Sequence, residues 1–157
     1  MKKYSLDFHN VLIRPQFTSL SSRNQVNLMR TFTFPHSTKT WSGIPMIAAN
    51  MDTTGTFEVY DVLSKHKMLT AMSKFYTYSD YADAIYKRDS LDPDYFMVSS
   101  GITDNDIERL DKIMDLTNCN WICLDVANGY MSKFVDVCAR VRNKYPDPII
   151  LAGIFAR

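Results

Sequence analysis

Five short apolar runs, spaced almost evenly and separated each time by a stretch with helical periodicity, restrict this chain to very few folds. The runs are Ile44 to Ala49, Met68 to Met72, Tyr95 to Val98, Trp121 to Val126 and Pro148 to Ala152. Each is strand length. The first, fourth and fifth are nearly continuous in hydrophobicity, as expected of parallel strands covered on both faces. Their centres lie roughly 23 to 27 residues apart, which fits the ~30 residues of a βαβ unit once the shared strand is discounted. Between the runs, Val59, Val62 and Leu63 make one apolar stripe, and Tyr81, Ala84 and Ile85 a second. Ile107, Leu110, Ile113 and Met114 form a third, behind Thr103 as an N-cap with Asp106 at the capping-box position. Phe134, Val137, Cys138 and Val141 form the fourth, which Tyr145-Pro146 ends. The alternation predicts a parallel α/β sheet with right-handed crossovers. Periodicity alone leaves a doubly wound sheet and a rolled barrel both open. The first strand-to-helix turn, Asn50-Met51-Asp52-Thr53-Thr54-Gly55, lacks the glycine fingerprint of a dinucleotide fold. Residues 1–43 read as an N-terminal arm, a small β-hairpin or strap, and residues 44–157 as one (β/α) domain.

The charge balance narrows the partner. Eighteen Lys+Arg against seventeen Asp+Glu leave a net charge of +1, so neither a nucleic acid polymer nor an anionic membrane is favoured, and a small molecule is expected. No stretch approaches the ~18 apolar residues of a membrane span. The opening Met1-Lys2-Lys3-Tyr4-Ser5-Leu6-Asp7 meets Asp7 and His9 before any apolar run, unlike a secretory signal. Cys119, Cys123 and Cys138 are odd in number and lack Cys-x-x-Cys spacing, which speaks against a disulfide framework and a zinc site. A reducing, cytoplasmic setting is expected. His9, His36 and His66 are scattered, so no metal is expected.

In a parallel α/β sheet, ligands sit at the carboxyl ends of the strands. The residues there are polar: Asn50 and Asp52, then Ser73 and Lys74, then Ser99, Ser100 and Gly101, then Asp125, Asn128 and Gly129. Singly, each also reads as a helix cap, a turn anchor or a solvated side chain. Together they make a rim suited to a nucleotide, with carboxylates for ribose hydroxyls and a cation for phosphate. The sequence offers no nucleophile on that rim. Cys123 falls inside an apolar strand and Cys138 on an apolar helix face, while Cys119 reads as more exposed but has no histidine nearby. The aromatic patch from Phe75 to Tyr81 reads as packing before base stacking.

Longer words are more specific: Leu6-Asp7-Phe8 through Val11-Leu12-Ile13-Arg14-Pro15, then Ser22-Arg23, then Trp41 to Thr53, and later Ile122 to Tyr130. On these, the chain from about residue 6 to Gly153 resembles the GMP reductase branch of the IMP dehydrogenase/GMP reductase family. The resemblance implies the first four β/α units and the fifth strand of a (β/α)8 TIM barrel, in an enzyme that uses NADPH to convert GMP to IMP and ammonia, usually as a tetramer. Asp125, Val126, Ala127 and Lys74 match positions that hold the cofactor, and Ser22 and Arg23 match a pair that reaches NADP in a neighbouring subunit. By the same resemblance, Met51 lies near the purine nucleotide, alongside the rim residues Asn50, Asp52, Ser99, Ser100, Asn128 and Gly129. The catalytic cysteine, its threonine and the potassium loop are expected beyond Arg157, so the chain alone is expected to be inactive, and insoluble or oligomeric. Ile154-Phe155-Ala156-Arg157, Ser73 and Phe75 depart from the family pattern. An IMP dehydrogenase-like fragment is the nearest rival, disfavoured by Asn50 in place of proline and by the short connection from Asp89 to Pro93. A non-catalytic partner of a full-length reductase is a further alternative.

Overall fold

The computed structural model describes residues 8–153. Leu6, Asp7 and the divergent Ile154-Phe155-Ala156-Arg157 lie outside the described residues. Two short strands come first, β1 (Arg30–Thr33) and β2 (Thr40–Gly43), paired antiparallel as a hairpin. Then strands and helices alternate: β3 (Ile47–Ala48), α1 (Phe57–Leu63), β4 (Leu69–Ala71), α2 (Tyr78–Arg88), β5 (Phe96–Ser100), α3 (Asp104–Thr117), β6 (Trp121–Asp125), α4 (Ser132–Lys144) and β7 (Ile149–Gly153).

Every neighbouring pair from β3 to β7 is parallel, and the strands lie in chain order. A doubly wound sheet must reverse its order at a switch point, and this one never does. Right-handed crossovers then place all four helices on one face, and the sheet curls around the other as part of a barrel. The choice that periodicity leaves open is thus made by strand order.

The register sorts the side chains. Phe96 meets the rings of Tyr60 and Tyr81, at 5.8 and 6.3 Å between centroids, so its side of β5 faces the helices. Alternation along the strand puts Val98 and Ser100 with it and turns Met97 and Ser99 to the inner face. Cross-strand partners carry that face onward through Ala71, Cys123 and Leu151.

The hairpin closes the amino ends of the strands. Trp41 and Phe34 both stand edge-on to Trp121, at 5.8 and 5.4 Å, and the Trp41 indole N–H donates to the Asp94 carbonyl at 2.9 Å. Ser37 donates to the Asp147 carbonyl and Thr38 to its carboxylate, tying the hairpin turn to the approach of β7.

Local signals set the helix boundaries. Thr103 and Asp106 form the expected capping box on α3, and Thr77 and Asp80 form a second one on α2. The stripes of α2, α3 and α4 face inward as predicted, with Tyr81, Ala84, Leu110, Ile113, Phe134, Val137 and Val141 all buried. Helix α1 differs. Its N-cap is Thr56, which turns Phe57 and Tyr60 into the core and leaves Val62 56% exposed, so the stripe Val59-Val62-Leu63 is not the packed face. The first strand also shortens to two residues, because Pro45 lacks an N–H and the Ile44 N–H is spent on the Lys67 carbonyl.

In urea titrations, Tyr60→Ala is expected to lose about 3 kcal/mol or more, and Val62→Ala to stay within about 0.5 kcal/mol. Equal losses would contradict the orientation of α1.

Candidate functional site

The four turns that follow β3 to β6 gather on one side of the sheet. Parallel pairing makes this unavoidable, since all carboxyl ends point the same way. Two side-chain links join the turns. Ser73 donates to the Asp52 carboxylate at 3.1 Å, tying the end of β4 to the turn after β3. Lys74 reaches past β5 to the Asp125 carboxylate at 3.3 Å. That ion pair is partly shielded, its side chains 35% and 16% exposed, so its Coulomb attraction exceeds that of a fully solvated pair.

Gly55 makes the first link possible. A Cβ on it would stand 2.4 Å from the Ala71 carbonyl oxygen and 2.9 Å from both the Asn50 Cα and the Ser73 backbone N. The bare backbone lets the turn lie flat on β4, where the Gly55 carbonyl accepts from the Ser73 N–H at 2.8 Å. Asn50 is buried under this turn, and its Nδ2 has no hydrogen-bond partner among the described residues. An unsatisfied buried amide is a costly group to keep.

The remaining expected residues divide by position. Met51 and Asp52 are exposed beside Asn50. Ser99 lies on the inner face, in register with Cys123. Ser100 does not join them: its hydroxyl lies 3.1 Å from the carbonyls of Gly101 and Asp106, so it braces the start of α3 on the outer face. The strand continues through both serines, and its two-residue alternation separates them. Val126 is buried, with its N–H on the Gly153 carbonyl, while Ala127 and Asn128 are exposed. The Asn128 side chain accepts from the Tyr130 N–H at 3.0 Å, a turn-forming contact that brings Gly129 beside Phe134. Ser22 caps the short turn Arg23–Gln25 on the exposed arm, and neither Ser22 nor Arg23 makes a hydrogen bond or ion pair with the rim among the described residues.

Arg109 is a contributor that the sequence reading misses. Its guanidinium donates to the Tyr76 carbonyl at 2.8 Å and the Ser99 carbonyl at 3.3 Å, locking the turn after β4 to β5 from behind. Helical spacing places it beside the apolar stripe of α3 but gives no sign of what it reaches.

Two of the three thiols are sealed in the core. Cys119 is 2% exposed, against the expectation of a more open site, because its sulfur is enclosed by the carbonyls of Phe96 and Trp121. Burial pushes both the Cys119 and the Cys123 thiol up to about 12. Cys138 is half-buried on α4 and is raised for the same reason. Open clefts are found elsewhere, between α1 and α2 around Phe57, Tyr76 and Arg88, and near the base around Asn118 and Tyr145. No group of His, Cys, Asp and Glu suited to a metal ion occurs among the described residues, and no helix of the described residues is long and apolar enough to cross a membrane.

A strand-ordered parallel half-barrel with a basic and acidic rim agrees with the sequence comparisons. The family model "IMP dehydrogenase / GMP reductase domain" matches residues 5–157. The chain belongs to that family. It is 44% identical over 153 residues to a protein named GMP reductase from Vibrio parahaemolyticus, covering 97% of this chain and 44% of the relative. It is 48% identical over 150 residues to GMP reductase 1 of Mus musculus, covering 94% and 43%. Among solved structures, inosine 5' monophosphate dehydrogenase from Legionella pneumophila superposes with a TM-score of 0.70 at 25% identity, over 93% of this chain and 43% of that one. The chain thus spans under half the length of the family members it matches.

Raised thiol pKa values give a sign for pH dependence. In the folded state Cys119 and Cys123 stay protonated up to about pH 12, whereas the thiols of the unfolded chain ionise near 9.0. Unfolding therefore releases protons above that pH, and stability falls as pH rises between about 9 and 12, by up to about 1.4 kcal/mol per unit for each thiol. Replacing either cysteine by Ala should flatten this slope in denaturant titrations. A disulfide-exchange reagent at mildly alkaline pH should label Cys138 first and the other two only on unfolding.

Proposed function

We propose that this chain supplies the cofactor side of a GMP reductase-type oxidoreductase, an enzyme that converts GMP to IMP and ammonia with NADPH. The Lys74–Asp125 pair on the strand-end rim carries the reading, in a chain 44 to 48% identical to proteins named GMP reductase. NADPH, when bound, supplies the hydride. The residues present fit a nucleotide. Lys74 is a cation whose present partner, Asp125, can be exchanged for a phosphate oxygen. Asp125, once released, accepts from a ribose hydroxyl, and the backbone of Val126 and Ala127 lines the same turn. The buried amide of Asn50 offers N–H donors that no group among the described residues uses. Met51, Asp52, Ser99, Asn128 and Gly129 complete the purine side; Ser100 is left out, its hydroxyl being committed to α3.

Ser22 and Arg23 stand on an exposed arm apart from the rim. In this reading they serve the nucleotide of an adjoining subunit, which calls for a homo-oligomer such as a tetramer. A solvent-exposed guanidinium fits the additional phosphate of NADP.

Covalent purine chemistry needs a thiolate. Burial pushes the Cys119 and Cys123 thiols up to about 12, so both stay protonated near neutrality, and Cys138 sits on the outer wall. None of these three is the nucleophile, so residues 8–153 bind and orient but do not form the adduct. Against an IMP dehydrogenase, the connection from α2 to β5 is limited to residues 89–95, which leaves no inserted domain at that point.

Titration with NADPH, followed by nicotinamide fluorescence, tests the reading. Lys74→Ala is expected to weaken binding about tenfold, the worth of one charge-assisted contact. Tyr86→Ala, on the exposed outer wall, should leave it unchanged. GMP-dependent loss of nicotinamide absorbance should be absent for this chain alone. Binding indifferent to Lys74, or steady turnover by the pure chain, would refute the proposal.

A further inference from the structure

The turn after β6 sets one reactive pair side by side. Of the asparagines in the chain, only Asn128 is followed by glycine. An asparagine loses its side-chain amide when the backbone nitrogen of the next residue attacks its Cγ, and a Cβ on that next residue stands in the way.

Three features of the folded turn favour the attack. Asn128 is exposed and Gly129 is half-buried, so water and hydroxide reach both. The Gly129 N–H makes no hydrogen bond among the described residues, so no carbonyl holds its proton. The Tyr130 N–H donates to Asn128 Oδ1 at 3.0 Å. Negative charge collects on that oxygen as Cγ becomes tetrahedral, and a backbone donor already aimed at it lowers the barrier. Other asparagines lack the combination. Asn27 Oδ1 accepts from the Met29 N–H at 2.9 Å in the same way, but Leu28 follows it and shields the backbone nitrogen. Asn50 is buried, Asn120 is tied through its amide to Asp94 at 2.6 Å, and Asn105 and Asn143 lie within helices.

We propose that Asn128 is a self-modification site: in the folded chain its amide is lost through a cyclic imide with Gly129, and a carboxylate is installed on the strand-end rim. The Gly129 N–H gives its proton to a solvent base, and the nitrogen bonds to Cγ. The Cγ–Nδ2 bond then breaks, and Nδ2 takes up a proton and leaves as ammonia. Water opens the ring at either carbonyl, which leaves aspartate or an isoaspartyl linkage that lengthens the backbone by one methylene. The product stands three residues past Asp125, so a further negative charge joins the turn that Lys74 meets. Toward a phosphate-bearing ligand that charge is repulsive. This last consequence rests on the cofactor reading above, whereas the conversion rests on the turn alone.

Peptide mapping by mass spectrometry, on the full 157-residue chain held in mildly alkaline buffer, tests the proposal. Asn128 is expected to convert about tenfold or more faster than Asn27, a barrier difference of about 1.4 kcal/mol, with ammonia released in equal amount. The rate should rise with pH, because the attacking nitrogen must lose its proton. Gly129→Ala should slow conversion about tenfold or more. A parallel map in strong urea separates the turn from the dipeptide, and the folded chain is expected to convert at least as fast as the unfolded one. Three outcomes overturn the proposal: an Asn128 that stays intact in the folded chain while the unfolded chain converts, equal rates at Asn27 and Asn128, and conversion that Gly129→Ala does not slow. Asn128→Asp should weaken NADPH binding about threefold through the added charge. Lys74-dependent binding that ignores this substitution removes the charge consequence. A chain that does not bind NADPH removes the cofactor reading, and the peptide map still decides the conversion.

Discussion

Parallel pairing in chain order is the constraint on which everything else here depends. Because β3 through β7 each hydrogen-bond to the next strand in sequence, the crossovers share one hand and one face, and the sheet has no choice but to bend away from its helices. The same pairing puts every helix-entering turn at one end. Lys74 and Asp125 are 51 positions apart in the chain and meet only because one lies just past the end of β4 and the other is the last residue of β6, at the same end of the sheet. Neither residue has any other reason to be near its partner.

The two ends of the barrel are built by different chemistry. At the base, the rings of Phe34, Trp41 and Trp121 exclude water and are held by a single indole hydrogen bond to Asp94. At the rim, the turns are joined by carboxylate, hydroxyl and ammonium groups, with Gly55 permitting backbone contact that any side chain would prevent. Hydrophobic burial tolerates modest shape changes, whereas a hydrogen-bonded rim depends on placement within tenths of an ångström. The base is therefore the end that tolerates substitution, and the rim the end that does not.

How much was legible in the sequence follows the same division. Continuous apolar runs predicted the strands, and the stripes of α2, α3 and α4 predicted their buried faces, because burial imposes a period that can be counted. The packed face of α1 differs from its apolar stripe, since that helix is only seven residues long and its phase is set by the Thr56 cap, not by repetition. Barrel against open sheet was not decidable from periodicity, because strand order is a long-range property. At the site, the polar residues after each run were located, yet the pairing of Lys74 with Asp125 and the staple from Arg109 to Ser99 and Tyr76 were not foreseeable from spacing. Ser99 and Ser100 illustrate the limit most sharply. They are adjacent, identical in chemistry, and opposite in destination, and only the register of β5 tells which one faces the lumen.

The tie between the hairpin turn and Asp147 joins positions 109 and 110 residues apart. A ribosome adding about 5 to 20 residues per second would have the hairpin waiting on the order of ten seconds for its counterpart to emerge. For the earlier part of that interval, until Trp121 has emerged, the rings of Trp41 and Phe34 lack the partner that covers them. Assembly of the base is thus a late, order-dependent event, and the nascent chain passes through a stage at which its stickiest surface is present before the strand that conceals it.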